Sequence, residues 1–193
     1  MIQYSLVLEY ADSGTLETYL CKHFNELDWN DKYNLAFQLT KAVKWMHDHD
    51  IIHRDLHANN VLIHQTNIKL TDFGLSRKIS EASSNASIFG MIPYIDPKRL
   101  DSRNKYYKLN KKSDIYSIGV LMWQISSGKK PFHNEAYDVT LALGILCGKR
   151  EKIIEGTPKK YSNLYKGCWE HEDRKRPSIK EVISKLRTMI DPE

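Results

Sequence analysis

The sequence contains few cysteines, and their spacing is not that of a metal site. Cys21, Cys147 and Cys168 are odd in number and far apart, with no Cys-x-x-Cys pair among them. A disulfide framework or a zinc site usually needs paired, closely spaced cysteines. We therefore expect free thiols and no zinc.

Long apolar runs and linker-like stretches are also missing. No apolar run reaches the roughly 18–20 residues that a membrane helix needs. The beginning of the chain has neither the basic region nor the long apolar region of a signal peptide. No segment rich in Pro, Gly or Ser separates one part of the chain from another. These features predict one soluble, cytoplasmic domain that does not contact a membrane.

The positive charge of the chain is not concentrated. The formal net charge is +5, and the basic residues are spread along the sequence with only short clusters, such as residues 174–176. Nucleic-acid-binding proteins usually gather positive charge on one face or stripe. We therefore expect no nucleic-acid partner. The hydrophobic content of 41% is typical of a globular protein.

Apolar periodicity predicts a mainly α fold of the α+β class. Three- and four-residue spacing predicts a helix over residues 31–49. Residues 113–127 have almost no polar face, which predicts a central helix buried nearly all round. A capping box at Ser178 predicts the start of the last helix. Two short apolar runs, 61–63 and 68–70, predict a β-hairpin with a four-residue turn.

Two motifs flank the predicted hairpin. Residues 53–60 read His-Arg-Asp-Leu-His-Ala-Asn-Asn, and Asp72-Phe73-Gly74 follows the second strand. Taken singly, an aspartate of this kind would be an ordinary loop or capping carboxylate. The order and spacing of the two motifs, however, match those of protein kinases. The chain resembles the C-terminal lobe of a eukaryotic protein kinase, from the tyrosine-kinase-like branch of serine/threonine kinases.

The resemblance implies ATP-dependent phosphorylation of a serine or threonine hydroxyl, with ATP, Mg²⁺ and a protein substrate as ligands. Asp55 would orient the attacking hydroxyl and accept its proton, while Asn60 and Asp72 would bind Mg²⁺. In this family the segment that joins the two lobes binds adenine through main-chain groups. That assigns the Glu9 carbonyl and the Ala11 amide to the base.

The resemblance also divides the chain. Residues 1–8 would be the last strand of the N-terminal lobe, with Leu8 as gatekeeper, residues 9–14 the hinge, and residues 15–193 the C-terminal lobe. Leu62 would form the floor of the adenine site. Asp12 or Ser13 would meet the ribose, or else form only a solvated turn.

Two further sets of residues take their expected roles from the resemblance. Asp114 would bond the backbone of the catalytic loop. Serines that precede Gly90 would be phosphorylation sites whose phosphate pairs with Arg54, unless they form only a solvated loop; they are Ser80, Ser83, Ser84 and Ser87.

Some residues depart from the family pattern. Lys98 stands where the family has a glutamate that pairs with the arginine matched by Arg176, so two cations would face each other unless Asp96 or Asp173 compensates. We accordingly expect Lys98→Glu to raise stability. His57 stands in place of a lysine common in serine/threonine kinases, and Met91 in place of a threonine, which leaves serine/threonine versus tyrosine specificity open.

The sequence contains neither the glycine-rich phosphate loop nor the strand lysine of an N-terminal lobe before the hinge. We expect the 193 residues alone to transfer no phosphate. We also expect self-association through the surface around Leu62 and residues 2–8 that such a lobe would cover. The alternative is a pseudokinase-like interaction module. The missing N-terminal-lobe elements, Lys98 and His57 favour it, and the intact Asp55, Asn60 and Asp72 oppose it.

Overall fold

The computed structural model describes residues 9–79, 90–101, 103 and 107–192. The predicted strand over residues 2–8, the gatekeeper Leu8 and the candidate phosphorylation sites Ser80, Ser83, Ser84 and Ser87 lie outside these residues. In the described part, the helices are α1 (Leu16–His23), α2 (Trp29–Asp48), α3 (Pro97–Leu100), α4 (Lys111–Ser127), α5 (Val139–Leu146), α6 (Lys159–Cys168) and α7 (Ile179–Ile190). The strands are β1 (Ile51–Ile52), β2 (Val61–His64), β3 (Asn67–Leu70) and β4 (Arg77–Lys78). The mainly α fold is confirmed.

Helix α4 forms the centre of the fold, as its continuous apolar sequence predicts. Every residue from Ser113 to Ser127 is buried. The helix begins with a capping box between Asn110 and Ser113, and it packs against α2 and α6. Gly119 permits the close approach to α6, because a Cβ atom there would lie 2.8 Å from the Cβ atom of Cys168.

Helices α2 and α7 pack against each other beside this core. Helix α2 begins two residues earlier than predicted, because the Asp28 side chain caps it in a capping box with Asp31. Of the apolar residues with helical spacing, Leu35, Leu39, Val43 and Met46 are buried, and Ala42 is partly buried. The predicted capping box of α7 is present between Ser178 and Glu181. None of the helices in the described ranges is long and apolar enough to cross a membrane.

The predicted hairpin is present, but its turn is shorter than expected. Strands β2 and β3 are antiparallel, and their pairing extends to His64 opposite Asn67. The turn therefore contains only Gln65 and Thr66, with φ angles of 48° and 63°. Positive φ at both central residues is the geometry of the tight hairpin turn that matches strand twist. Neither residue type favours this backbone, which is why the sequence did not indicate it.

The second small sheet brings the two motifs together. Ile51 pairs with Lys78 and Ile52 pairs with Arg77, so β1 and β4 are antiparallel. The first motif follows β1 directly, and the second motif ends two residues before β4 begins. The two segments therefore lie side by side on the surface of the helical core.

Candidate active site

The first motif forms a loop over residues 53–60, and the side chain of Asp114 anchors the backbone of this loop. The buried carboxylate of Asp114 accepts hydrogen bonds from the backbone amides of His53 at 3.0 Å and Arg54 at 3.1 Å. It also lies 2.8 Å from Nε2 of His47. Arg54 has a φ angle of 74°, which side-chain-bearing residues rarely adopt. The bonds to Asp114 hold this strained backbone in place, in the architectural role that the sequence predicted for that residue.

Within this loop, Asp55 and Asn60 are in direct contact. The Asn60 side-chain nitrogen donates to the Asp55 carbonyl oxygen at 2.9 Å and to its carboxylate at 3.3 Å. Nε2 of His57 lies 3.6 Å from the other carboxylate oxygen. His57 and, to a smaller degree, Asn60 lower the pKa of Asp55 despite its partial burial. The carboxylate is therefore ionised at neutral pH and can accept a hydrogen bond from a hydroxyl group.

Gly90 lies close above the Asp55 carboxylate. A Cβ atom at this position would lie 2.9 Å from Oδ1 of Asp55, and the φ angle of Gly90 is 110°. Both observations require glycine here. Glycine thus lets the backbone at position 90 pack against the Asp55 carboxylate, a contact that sequence reasoning missed because it joins distant parts of the chain.

Asp72 is held beside Asn60 by the hairpin. The backbone amide of Thr71 donates to the backbone carbonyl of Asn60 at 3.0 Å. This bond holds Asp72, which follows Thr71, beside the first motif. Asp72 is exposed and has a φ angle of 58°. Its carboxylate accepts a hydrogen bond of 3.3 Å from the Gly74 amide. Arg54 also donates to the Leu75 carbonyl at 3.3 Å, which ties the two motifs together.

The residues present fit a magnesium ion. Asn60 turns its side-chain nitrogen toward Asp55, so its side-chain oxygen is the group left to bind a cation. Asp72 adds an exposed carboxylate. Magnesium prefers such oxygen ligands and is usually bound by one or two protein groups together with phosphates and water. In the described part of the chain, no group of three or more His, Cys, Asp and Glu side chains could hold a metal ion.

The hinge segment, residues 9–14, reaches the site along strand β2. The Ser13 amide donates to the Ile63 carbonyl at 3.1 Å, and the Ile63 amide donates to the Gly14 carbonyl at 2.9 Å. Leu62 is partly exposed, whereas its neighbours on β2 are buried on the opposite face. The strand therefore turns Leu62 away from the core, next to the segment that contains Glu9 and Ala11.

Side chains of the hinge segment make contacts that the sequence did not indicate. The Asp12 carboxylate accepts from the Ser13 hydroxyl at 2.8 Å and from the Gln65 amide at 3.2 Å. His64 lies between Asp12 and Glu9, and Lys69 also contacts Glu9. Asp12 is thus bonded to the hairpin, where the sequence had suggested a ribose contact or a solvated turn.

The departure at Lys98 is compensated by acidic residues. Arg176 is buried and forms a two-pronged ion pair with Asp96, with distances of 2.7 and 2.9 Å. Lys98 lies 2.9 Å from the Glu172 carboxylate and 3.0 Å from that of Asp173. Both predicted compensating acids are therefore in place. The premise that Lys98→Glu would supply the missing partner of Arg176 is wrong, because Arg176 is already paired and the new carboxylate would face the acids that pair with Lys98.

The comparison with known proteins agrees with this geometry. A family model described as protein tyrosine and serine/threonine kinase matches residues 2–186. The chain belongs to this family. Serine/threonine-protein kinase CTR1 of Arabidopsis thaliana is 33% identical over 96% of the chain, which corresponds to 23% of CTR1. The mitogen-activated protein kinase kinase kinase of Drosophila melanogaster is 31% identical over 95% of the chain and 16% of its own length.

A third relative extends the similarity to a virus. The putative serine/threonine-protein kinase/receptor R818 of Acanthamoeba polyphaga mimivirus is 30% identical over 97% of the chain and 11% of its own length. The chain thus spans less than a quarter of each of these three kinases. The resemblance inferred from the two motifs is confirmed at the level of the family.

Proposed function

We propose that this chain supplies the substrate-hydroxyl and magnesium-binding part of an ATP-dependent protein kinase that phosphorylates serine or threonine. The observation that carries the proposal is the position of Asn60: its side-chain nitrogen donates to Asp55, and its backbone carbonyl accepts from Thr71, the residue before Asp72. Contact between the Asp55 and Asn60 side chains, and the backbone bond that sets the segment of Asp72 beside Asn60, support this assignment. Each of the three motif side chains has the chemistry that phosphoryl transfer requires.

In this proposal the Asp55 carboxylate orients the hydroxyl group of the protein substrate and accepts its proton. Its lowered pKa keeps it ionised, and Asn60 and Asp114 hold the loop that carries it. Asn60 and Asp72 would hold Mg²⁺, which when bound neutralises charge on the ATP phosphates. Phosphoryl transfer also requires that ATP be positioned.

The hinge segment would bind adenine through the Glu9 carbonyl and the Ala11 amide, with Leu62 below the base. What supports this assignment is the pairing of residues 13–15 with β2, which sets the segment beside the exposed side of Leu62. Adenine is flat and largely apolar, so an aliphatic floor and two main-chain groups suit it.

Self-association of the chain stays a prediction. The exposed apolar side chains available for it include Tyr10 and Phe73, which are 83% and 53% exposed.

A second candidate function is that of an interaction module that binds partners without transferring phosphate. It is favoured by His57, whose Nε2 lies 3.6 Å from the Asp55 carboxylate and would compete with a substrate hydroxyl. Lys98 no longer supports this alternative, because its charge is fully paired with Glu172 and Asp173.

Nucleotide binding tests the proposed site. The chain would be joined to the N-terminal lobe of a related kinase, which supplies a glycine-rich loop and a strand lysine, and ATP affinity would be measured by calorimetry with Mg²⁺ and with a chelator. We expect Mg²⁺ to tighten binding in the parent protein and in the control Asp50→Asn, whose carboxylate is exposed. Asp72→Asn should abolish the effect of Mg²⁺. Equal Mg²⁺ dependence in Asp72→Asn would contradict the assignment.

A further inference from the structure

His64, the last residue of β2, lies between two carboxylates of the hinge segment. Its Nε2 atom is 3.2 Å from a Glu9 carboxylate oxygen, and its Nδ1 atom is 3.3 Å from an Asp12 carboxylate oxygen. Only 18% of the His64 side chain is exposed. One imidazole ring therefore contacts two acidic residues of the hinge segment, on either side of Ala11.

The chemistry of imidazole makes this contact dependent on protonation. A neutral histidine ring has one N–H group, and its other nitrogen presents a lone pair. Between two carboxylates, that lone pair would face a negative oxygen, which is repulsive. The Nδ1 atom has no hydrogen-bond partner among the described residues, so its contact with Asp12 is electrostatic. Only the protonated ring is a cation, so only this form attracts both carboxylates.

The other groups around the ring do not replace this link. Lys69 on β3 contacts Glu9 alone, while the Gln65 amide and the Ser13 hydroxyl bond only to Asp12. In the described ranges, no side chain of α1 or α2 forms an ion pair with His64. His64 is thus the group that joins the two acids of the hinge segment to the hairpin at once.

We propose that His64 is a positioning residue whose protonation holds the hinge segment against the β2–β3 hairpin. The proposal rests on the proposed function only for its consequence, which is that the Glu9 carbonyl and the Ala11 amide are ordered for adenine. The consequence is tighter ATP binding at mildly acidic pH than at mildly alkaline pH. The contact itself is independent of phosphoryl transfer.

Hydrogen exchange of the Ser13 amide tests the contact in the 193-residue chain. This amide bonds to the Ile63 carbonyl and is released when the hinge segment leaves the hairpin. Its protection factor would be measured at pH 6 and pH 8, corrected for intrinsic exchange and divided by that of the Leu121 amide in buried helix α4. The ratio removes changes in global stability.

We expect the Ser13 ratio of the parent chain to fall by about threefold to tenfold from pH 6 to pH 8, the scale of one or two partly exposed ion pairs. His64→Gln should have the low ratio at both pH values, and His64→Lys, which keeps a cation, the high ratio at both. His133→Gln replaces an exposed histidine and should behave like the parent.

Two results would overturn the proposal. One is a parent ratio that is the same at pH 6 and pH 8, and the other is a His64→Gln ratio equal to that of the parent at pH 6. Calorimetry with ATP and Mg²⁺ at both pH values, on the chain joined to the N-terminal lobe of a related kinase, then separates the two claims. Absence of ATP binding together with the expected exchange pattern would support the contact and refute the adenine assignment.

Discussion

Replacing Lys98 by glutamate should destabilise the protein, although it restores the residue type of the family pattern. Lys98 is mostly buried, with 18% of its side chain exposed, and lies 3.0 Å from Asp173. Loss of a partly exposed ion pair costs up to about 1 kcal/mol, and a like charge in its place adds a similar repulsion. The buried Arg176 nearby cannot relieve this repulsion, because its guanidinium group is already paired with both carboxylate oxygens of Asp96.

We therefore expect Lys98→Glu to lower the free energy of unfolding by about 1–2 kcal/mol, which corresponds to a fall in Tm of about 2–8 °C for a domain of this size. Thermal and urea unfolding would be measured for the parent, Lys98→Glu and Lys98→Met. The methionine variant removes the charge but keeps the length of the side chain, so it should fall between the other two. An unchanged or higher Tm of Lys98→Glu would refute the assigned pairing.

Acid should reduce the stability difference between the parent and Lys98→Met. Burial would raise the pKa of Asp173, but the hydrogen bonds from Lys98 and Asn110 outweigh burial and lower the pKa overall. A lowered folded pKa means that the stabilisation is present above the ordinary carboxyl range, near pH 4, and is lost as the pH falls through the folded pKa. A difference that grew in acid would contradict this sign.

Two further predictions concern the helical core. Gly119→Ala should lower the free energy of unfolding by about 1–3 kcal/mol, because its Cβ atom would meet Cys168 and backbone atoms at 2.8–3.0 Å. In the control Gly144→Ala, the new Cβ atom meets only the flexible Lys149 side chain. Urea unfolding should therefore show a much smaller loss of stability for the control. Burial raises the pKa of Cys168 to about 12, so this thiol should be unreactive in the folded chain. A thiol reagent at pH 8 should label the exposed Cys21 and Cys147 of the native chain, and it should label Cys168 only after unfolding. Rapid native labelling of Cys168 would mean that α4 and α6 do not pack as described.

Helices α2, α4 and α7 were predictable because their signals are local, although α2 and α4 each begin two residues earlier than predicted. Periodic apolar residues and capping boxes such as that of Ser178 lie within a few positions of one another, and each specifies one element. The central position of α4 also followed from its composition, since a helix without a polar face must be buried. The same locality explains why the two motifs at Asp55 and Asp72 identify the family.

The pairings between charged residues were only partly predictable because they join distant parts of the chain. Lys69 and Glu9 are separated by 60 positions, and Arg176 and Asp96 by 80. A charged residue in a sequence does not indicate which distant opposite charge it will meet. Asp96 was among the expected partners only because Lys98 left Arg176 without one. No comparable gap pointed to His64.

Phosphoryl transfer by the chain joined to the N-terminal lobe of a related kinase tests the central claim most directly. With Mg²⁺ and ATP, we expect transfer to a serine or threonine peptide, and Asp55→Asn should lower its rate on the order of a hundredfold or more, the scale of a positioned base. Asp50→Asn should transfer at the parent rate. A soluble fusion that binds ATP but transfers nothing, or one whose rate is unchanged in Asp55→Asn, would contradict the account and favour the interaction module.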